Sequence, residues 1–119
     1  MKGVFLGLLL IAVTGPATLE AHAFLQRAEP AVGSIVQTSL SEIRIWFTEE
    51  IEPTFSTIQV FNSDRKEVDK RDMHLDRSNK ALLHVSLPPL RPGTYKVVWR
   101  VVSVDTHVTT GNFTFRVVR

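Results

Sequence analysis

Hydrophobic and polar residues alternate along most of this chain with a period of two. Ile43, Ile45 and Phe47 alternate with Arg44 and Trp46, the pattern of a strand with one face buried. Ile58 and Val60 repeat that period, and Asn62-Ser63-Asp64 ends the run. Ala81, Leu83, Val85 and Leu87 alternate again, which assigns Leu82, His84 and Ser86 to the opposite face. Tyr95, Val97, Trp99 and Val101 predict the longest strand, and Phe113, Phe115 and Val117 the last. Phe24-Leu25 and Val68 mark shorter edge strands. No segment after residue 22 holds a helical period for two turns. About seven short strands separated by turn signals predict an all-β sandwich.

The segment Leu90-Arg91-Pro92-Gly93-Thr94-Tyr95 sharpens that expectation. Pro and Gly shape a tight corner, and a Tyr just beyond it can return its hydroxyl to the backbone, as in the tyrosine corner of Greek-key sandwiches. An ordinary Pro-Gly turn followed by a core Tyr is the competing reading. Both leave the fold class unchanged.

The start of the chain follows a different pattern. Lys2 precedes an apolar run from Val4 to Val13, and Gly15-Pro16 breaks it before Ala17 and Ala21. This is the layout of a secretory signal peptide, too short to span a membrane as a helix. Residues 1–21 are therefore expected to be removed, leaving 22–119 as one domain. Ala21-His22-Ala23 also fits the small-x-small rule, and a cut after Ala23 would discard His22. No second long apolar run follows, so membrane insertion of the mature chain is not expected.

Among the 119 residues there is no cysteine, which excludes thiolate zinc sites, thiol catalysis and haem attachment through cysteine. The formal charge is +2, and the charges of Asp64–Lys80 alternate in sign, five acids against six bases. Such mixing makes no one-sided basic patch, so nucleic acid and anionic membranes are poor partners.

Of the four histidines, His22, His74, His84 and His107, only the last has a carboxylate at strand spacing. In Asp105-Thr106-His107 an extended backbone would place residues i and i+2 on one side, roughly 6–7 Å apart. Taken alone, such a pair is more often a surface hydrogen bond than a metal site. His22 changes the balance if it becomes the N-terminus, because its α-amine and imidazole can chelate one ion. Together with Asp105 and His107 this offers three nitrogens and one oxygen, a set suited to tetragonal Cu(II). Zinc or nickel could use the same ligands more weakly.

His22-Ala23-Phe24-Leu25, Glu29-Pro30-Ala31-Val32-Gly33-Ser34 and Ile45-Trp46-Phe47-Thr48-Glu49 resemble the opening of CopC-type copper-resistance proteins. The run from Pro92 through Trp99 to Asp105-Thr106-His107, followed by Gly111 and Phe113-Thr114-Phe115, resembles their ending more closely still. The resemblance covers nearly all of 22–119. It implies a periplasmic, immunoglobulin-like Greek-key sandwich or barrel that binds one Cu(II) through His22, Asp105 and His107, with cleavage after Ala21. It also implies a CopD-like inner-membrane transporter as partner. Glu49 falls where some family members carry a nearby carboxylate, and is either an outer contributor or a solvated acid. Some members carry a methionine-rich segment for Cu(I). Here the corresponding Asn62–Glu67 has no Met, and Met73 is the only one after residue 22. With no soft ligands beyond Met73, beside His74, no Cu(I) site is expected.

Trp46 and Trp99 read as core or cover residues, His84 as a surface strand residue, and Met73-His74 as an exposed loop pair. Ser103, Asp105 and His107 lie too close on one segment for a hydrolase triad, whose acid must stand behind the histidine. An enzyme is not expected. The rival readings are a histidine-brace copper oxygenase and a metal-free immunoglobulin-like interaction module. The second would follow from a chain starting at Phe24.

Overall fold

The computed structural model describes residues 23–37 and 39–119. The predicted signal peptide and His22 lie outside them. Eight strands form two four-stranded sheets: β1 (Leu25–Glu29), β2 (Ile35–Val36), β3 (Glu42–Phe47), β4 (Thr57–Phe61), β5 (His74–Leu75), β6 (Leu82–Ser86), β7 (Gly93–Val102) and β8 (Val108–Val117). One sheet has the order β1-β3-β6-β5 and the other β2-β8-β7-β4. All neighbours are antiparallel except β2 and β8. This is the immunoglobulin-like arrangement, in which the chain changes sheet after β1, β2, β3, β4 and β6.

Alternation produces the core directly. In β3 the side chains of Ile43, Ile45 and Phe47 are buried while Glu42, Arg44 and Trp46 are half-buried on the other face. Tyr95, Val97, Trp99 and Val101 from β7 meet Phe113, Phe115 and Val117 from β8 in the same core. The Trp99 ring packs edge-on against Phe47, with centroids 5.2 Å apart. Across the ladder from Trp99 stands Gly111, where a Cβ would come within 2.3 Å of the indole. Glycine is needed there for room. The Tyr95 hydroxyl donates to the Arg91 carbonyl at 2.6 Å, so the Pro-Gly segment is a tyrosine corner.

The expectation of about seven strands agrees with the eight found among the described residues, of which the two-residue β2 and β5 are too short to show periodicity. Other expectations are corrected. Val68 belongs to no strand; its amide bonds the Val60 carbonyl beside an isolated bridge between Phe61 and Glu67. Leu82 is buried although it lies on the outer face, because its cross-strand neighbour there is the large ring of Trp46. Arg27 in turn stacks over that ring at 4.0 Å. His84 is not a free surface residue, since its side chain is only 12% exposed. Its Nε2 lies 2.8 Å from Asp76 and its Nδ1 3.1 Å from Glu42. Of the expected exposed loop pair, Met73 lies in the loop before β5 but packs on the core, and His74 is exposed but opens β5, its ring stacked on His84 at 5.2 Å.

Candidate metal centre

The site forms at one end of the sandwich, where the longest hairpin turns. The β7–β8 ladder runs from Gly93 opposite Val117 to Val102 opposite Val108, leaving residues 103–107 as the loop. The Ser103 amide donates to the His107 carbonyl at 2.9 Å, and the Thr106 amide to the Ser103 carbonyl at 2.8 Å. Thr106 sits at φ +72°. For a β-branched residue that left-handed conformation costs on the order of 1–2 kcal/mol, and such outliers gather at functional loops. Asp105 and His107 are therefore brought together by a turn and not by an extended strand. His107 Nδ1 lies 3.4 Å from Asp105 Oδ2, and both side chains are 45% exposed. The pair anticipated from spacing does converge, through a different backbone geometry.

Ser103 holds this loop from inside. It is buried, and its hydroxyl donates to Asp105 Oδ1 and lies 3.3 Å from both the carbonyl oxygen and the amide nitrogen of His107. The hydroxyl is also the first cause of a lowered Asp105 pKa; desolvation opposes it, and the neighbouring His107 charge adds a lesser lowering. Asp105 is thereby kept ionised and aimed. Sequence reasoning considered Ser103 only as a nucleophile. The signal available was its place two residues before the acid, at the last buried position of an alternating strand.

Two further segments converge on the loop. Residues 50–52 run antiparallel to 102–104: Ile51 bridges Ser103, the Val104 amide donates to the Glu50 carbonyl at 3.0 Å, and the Glu52 amide to Val102 at 2.7 Å. Glu49, half-buried, directly precedes this segment. Among the described residues no hydrogen bond or ion pair joins Glu49 to Asp105 or His107. The start of the domain is anchored on the other side. Ala23 is fully buried and its carbonyl accepts the Thr109 hydroxyl at 2.5 Å. The Phe24 amide donates to the Thr48 hydroxyl, and the Thr48 amide to the Phe24 carbonyl, both at 2.9 Å. Sequence analysis missed Thr48 and Thr109, because a lone threonine at a strand end carries no recognisable signal.

No group of three His, Cys, Asp or Glu side chains able to hold a metal occurs among the described residues. Asp105 and His107 are a pair of candidate ligands only. The His74–His84 cluster is not a second such site, since both ring nitrogens of His84 already face carboxylates and the two rings lie face to face. No helix among the described residues is long and apolar enough to cross a membrane.

An immunoglobulin-like sandwich that carries an Asp-x-His pair on its longest hairpin defines a recognisable class. The sequence pattern of the CopC domain matches residues 25–118, and the chain belongs to the CopC family. It is 32% identical over 107 residues to copper resistance protein C of Pseudomonas syringae pv. tomato, covering 85% of this chain and 84% of that one. It is 31% identical over 111 residues to the copper transport protein CutJ of Bacillus subtilis, covering 92% of this chain. The match spans only 20% of CutJ's length. The crystal structure of CopC from Methylosinus trichosporium OB3b superimposes with a TM-score of 0.76 at 30% identity, covering 81% of this chain and 93% of that one.

Proposed function

We propose that this chain is a periplasmic copper carrier that binds one Cu(II) through the α-amine and imidazole of His22, the Asp105 carboxylate and the His107 imidazole. The observation that carries this reading is the convergence of the Asp105–His107 pair with the anchored Ala23. Thr109, two residues after His107, grips the Ala23 carbonyl. His22 is bonded directly to Ala23, so a chain beginning there would start next to the anchored residue. Burial of Ala23 also favours cleavage after Ala21, since a cut after Ala23 would remove a residue packed in the core. Glu49 serves as an outer contributor at the same end. The names of the relatives, one a copper resistance protein and one a copper transport protein, support copper as the cargo.

The chemistry follows from the donors. Nitrogen-rich sets with one carboxylate favour Cu(II), the tightest-binding divalent ion of its series. The amine and both imidazoles must shed protons to bind, so affinity falls steeply below about pH 6. The carrier delivers its ion to a CopD-like inner-membrane transporter. A CopC-like segment making up part of the much longer CutJ chain supports such a working association.

Native mass spectrometry of the exported protein with one equivalent of Cu(II) tests the reading. A mass beginning at His22 that retains a single copper is expected. A mass beginning at Phe24 without copper would overturn the proposal and favour a metal-free interaction module.

A further inference from the structure

The two outer faces of the sandwich treat charge differently. On the sheet β1-β3-β6-β5, Arg27 and Arg44 both pair with Glu29, and Arg44 and His84 also face Glu42. Each of these bases has a carboxylate beside it. On the other sheet, register places Arg116 beside Thr94, Lys96 between Thr114 and Phe61, and Arg100 between Thr110 and Thr57. All of these point away from the core, by alternation with the buried positions of β4, β7 and β8. The other outward positions of those strands are Val, Gln and Asn, so the face holds three exposed bases and no acid. Among the described residues none of the three bases forms an ion pair, and the Arg100 guanidinium donates only to the Phe55 carbonyl. We propose that this face is a contact surface for a membrane carrying anionic phospholipid, on which the domain sits without inserting.

Acids stand only at the margins of the face. Glu67 bridges Phe61 at the β4 edge, and its carboxylate is held by Arg71 at 3.1 Å. Asp64 occupies the turn after β4 with Arg65 and Lys66 next to it. Glu52 borders the opposite end, its amide donating to the Val102 carbonyl. The mixed signs of Asp64–Lys80 make no basic stretch, but Lys96, Arg100 and Arg116 lie outside that segment, and strand pairing brings them onto one side.

The surroundings of the bases select a lipid surface over an acidic protein. Lys96 and Arg100 are four residues apart on one strand, roughly 13 Å, and Arg116 is diagonal to Lys96 at roughly 7–8 Å. Threonine hydroxyls between them can donate to phosphate oxygens. Ile35, 60% exposed, stands beside Arg116, and Val108, 48% exposed, ends the same face at the start of β8. Bases that meet headgroup charge, with aliphatic side chains that dip between headgroups, are the combination of an interfacial contact. A protein partner is gripped by an anchor side chain packed in a pocket, and this face is a plane of short side chains. Each base near an anionic surface strengthens binding about fivefold, so the three together contribute on the order of a hundredfold. The Asp105–His107 loop closes the same hairpin and lies at the rim of such a contact, not under it.

Sedimentation of the exported protein with vesicles tests the assignment, using phosphatidylcholine alone or mixed with phosphatidylglycerol. Binding to the mixed vesicles is expected to be about tenfold or more tighter at low salt, and to lose that preference as salt screens the charges. Lys96→Gln and Arg116→Gln remove no ion pair and should each weaken binding about fivefold; adding Arg100→Gln should bring the loss to the order of a hundredfold. Arg27→Gln takes the same charge from the opposite face and should change nothing. Equal binding to both vesicles, indifference to salt, or an Arg27→Gln loss as large as that of Lys96→Gln would overturn the membrane face. Displacement by inorganic phosphate at matched ionic strength would reassign the bases to a free anion, and displacement by a polyglutamate peptide to an acidic protein. Either result overturns the lipid. No copper is added, so the carrier reading stands or falls separately, on its own mass measurement.

Discussion

Replacing Ser103 by alanine isolates the contribution of the residue beneath the proposed copper ligands Asp105 and His107. The side chain is 1% exposed, and its hydroxyl serves Asp105 and the backbone of His107. The backbone bond between the Ser103 amide and the His107 carbonyl, at 2.9 Å, survives the substitution, so the turn still closes. Asp105 is 45% exposed and water can replace the lost donor, which limits the stability loss to about 1 kcal/mol. Copper affinity should suffer more. Outer-sphere groups that orient a ligand are typically worth 10–100-fold in metal affinity, or about 1.4–2.8 kcal/mol. Without the hydroxyl the Asp105 carboxyl also rises toward its ordinary value of 3.8. Competition with a chromophoric chelator measures affinity, urea unfolding measures stability, and carbon-detected NMR follows Asp105. In an Asp105→Ala background, Ser103→Ala should have no further effect on copper, because the two act as one unit. A single Ser103→Ala variant binding Cu(II) within threefold of wild type would refute the positioning role.

Other outcomes follow from the fold. Gly111→Ala forces a methyl to within 2.3 Å of the Trp99 ring and should cost about 1–3 kcal/mol by overpacking, read by urea denaturation; a neutral result would show that the indole moves freely. Tyr95→Phe removes the bond to the Arg91 carbonyl and should cost about 1 kcal/mol, lowering Tm by roughly 4–8 °C. Asp76 is held down to about 2 from its ordinary 3.8, first by the His84 ring and then by the Ser78 amide and hydroxyl. Because the folded value is depressed, its contribution is complete above pH 3.8 and is lost as pH falls through about 2. His84→Ala should shift the Asp76 NMR titration upward, and an unmoved midpoint would contradict that coupling.

Much of the architecture was legible in the residues, because a strand's period of two is a local property. The buried sets of β3, β7 and β8 were readable from alternation alone, and the tyrosine corner from a short Pro-Gly-x-Tyr segment. The candidate pair was visible too, since Asp105 and His107 are two residues apart and almost any local geometry keeps them close. The family resemblance added the expectation that His22 completes the set.

What the chain alone could not specify depended on contacts between distant segments. Two-residue strands such as β2 and β5 exist only because a longer neighbour offers them a ladder. His84 looked like a surface residue until folding set it between Glu42 and Asp76, 42 and eight positions away. The extended geometry expected at Asp105-Thr106-His107 gave way to a turn, because the ladder from Val102 to Val108 ends there and five residues must reverse the chain. That reversal made Ser103 the support of the site. Residues 23 and 109 likewise meet only in the folded sandwich, 86 positions apart in sequence. Local periodicity wrote the strands and their faces, while long-range pairing of backbone hydrogen bonds decided which loops share an end and hence which side chains can act on one ion.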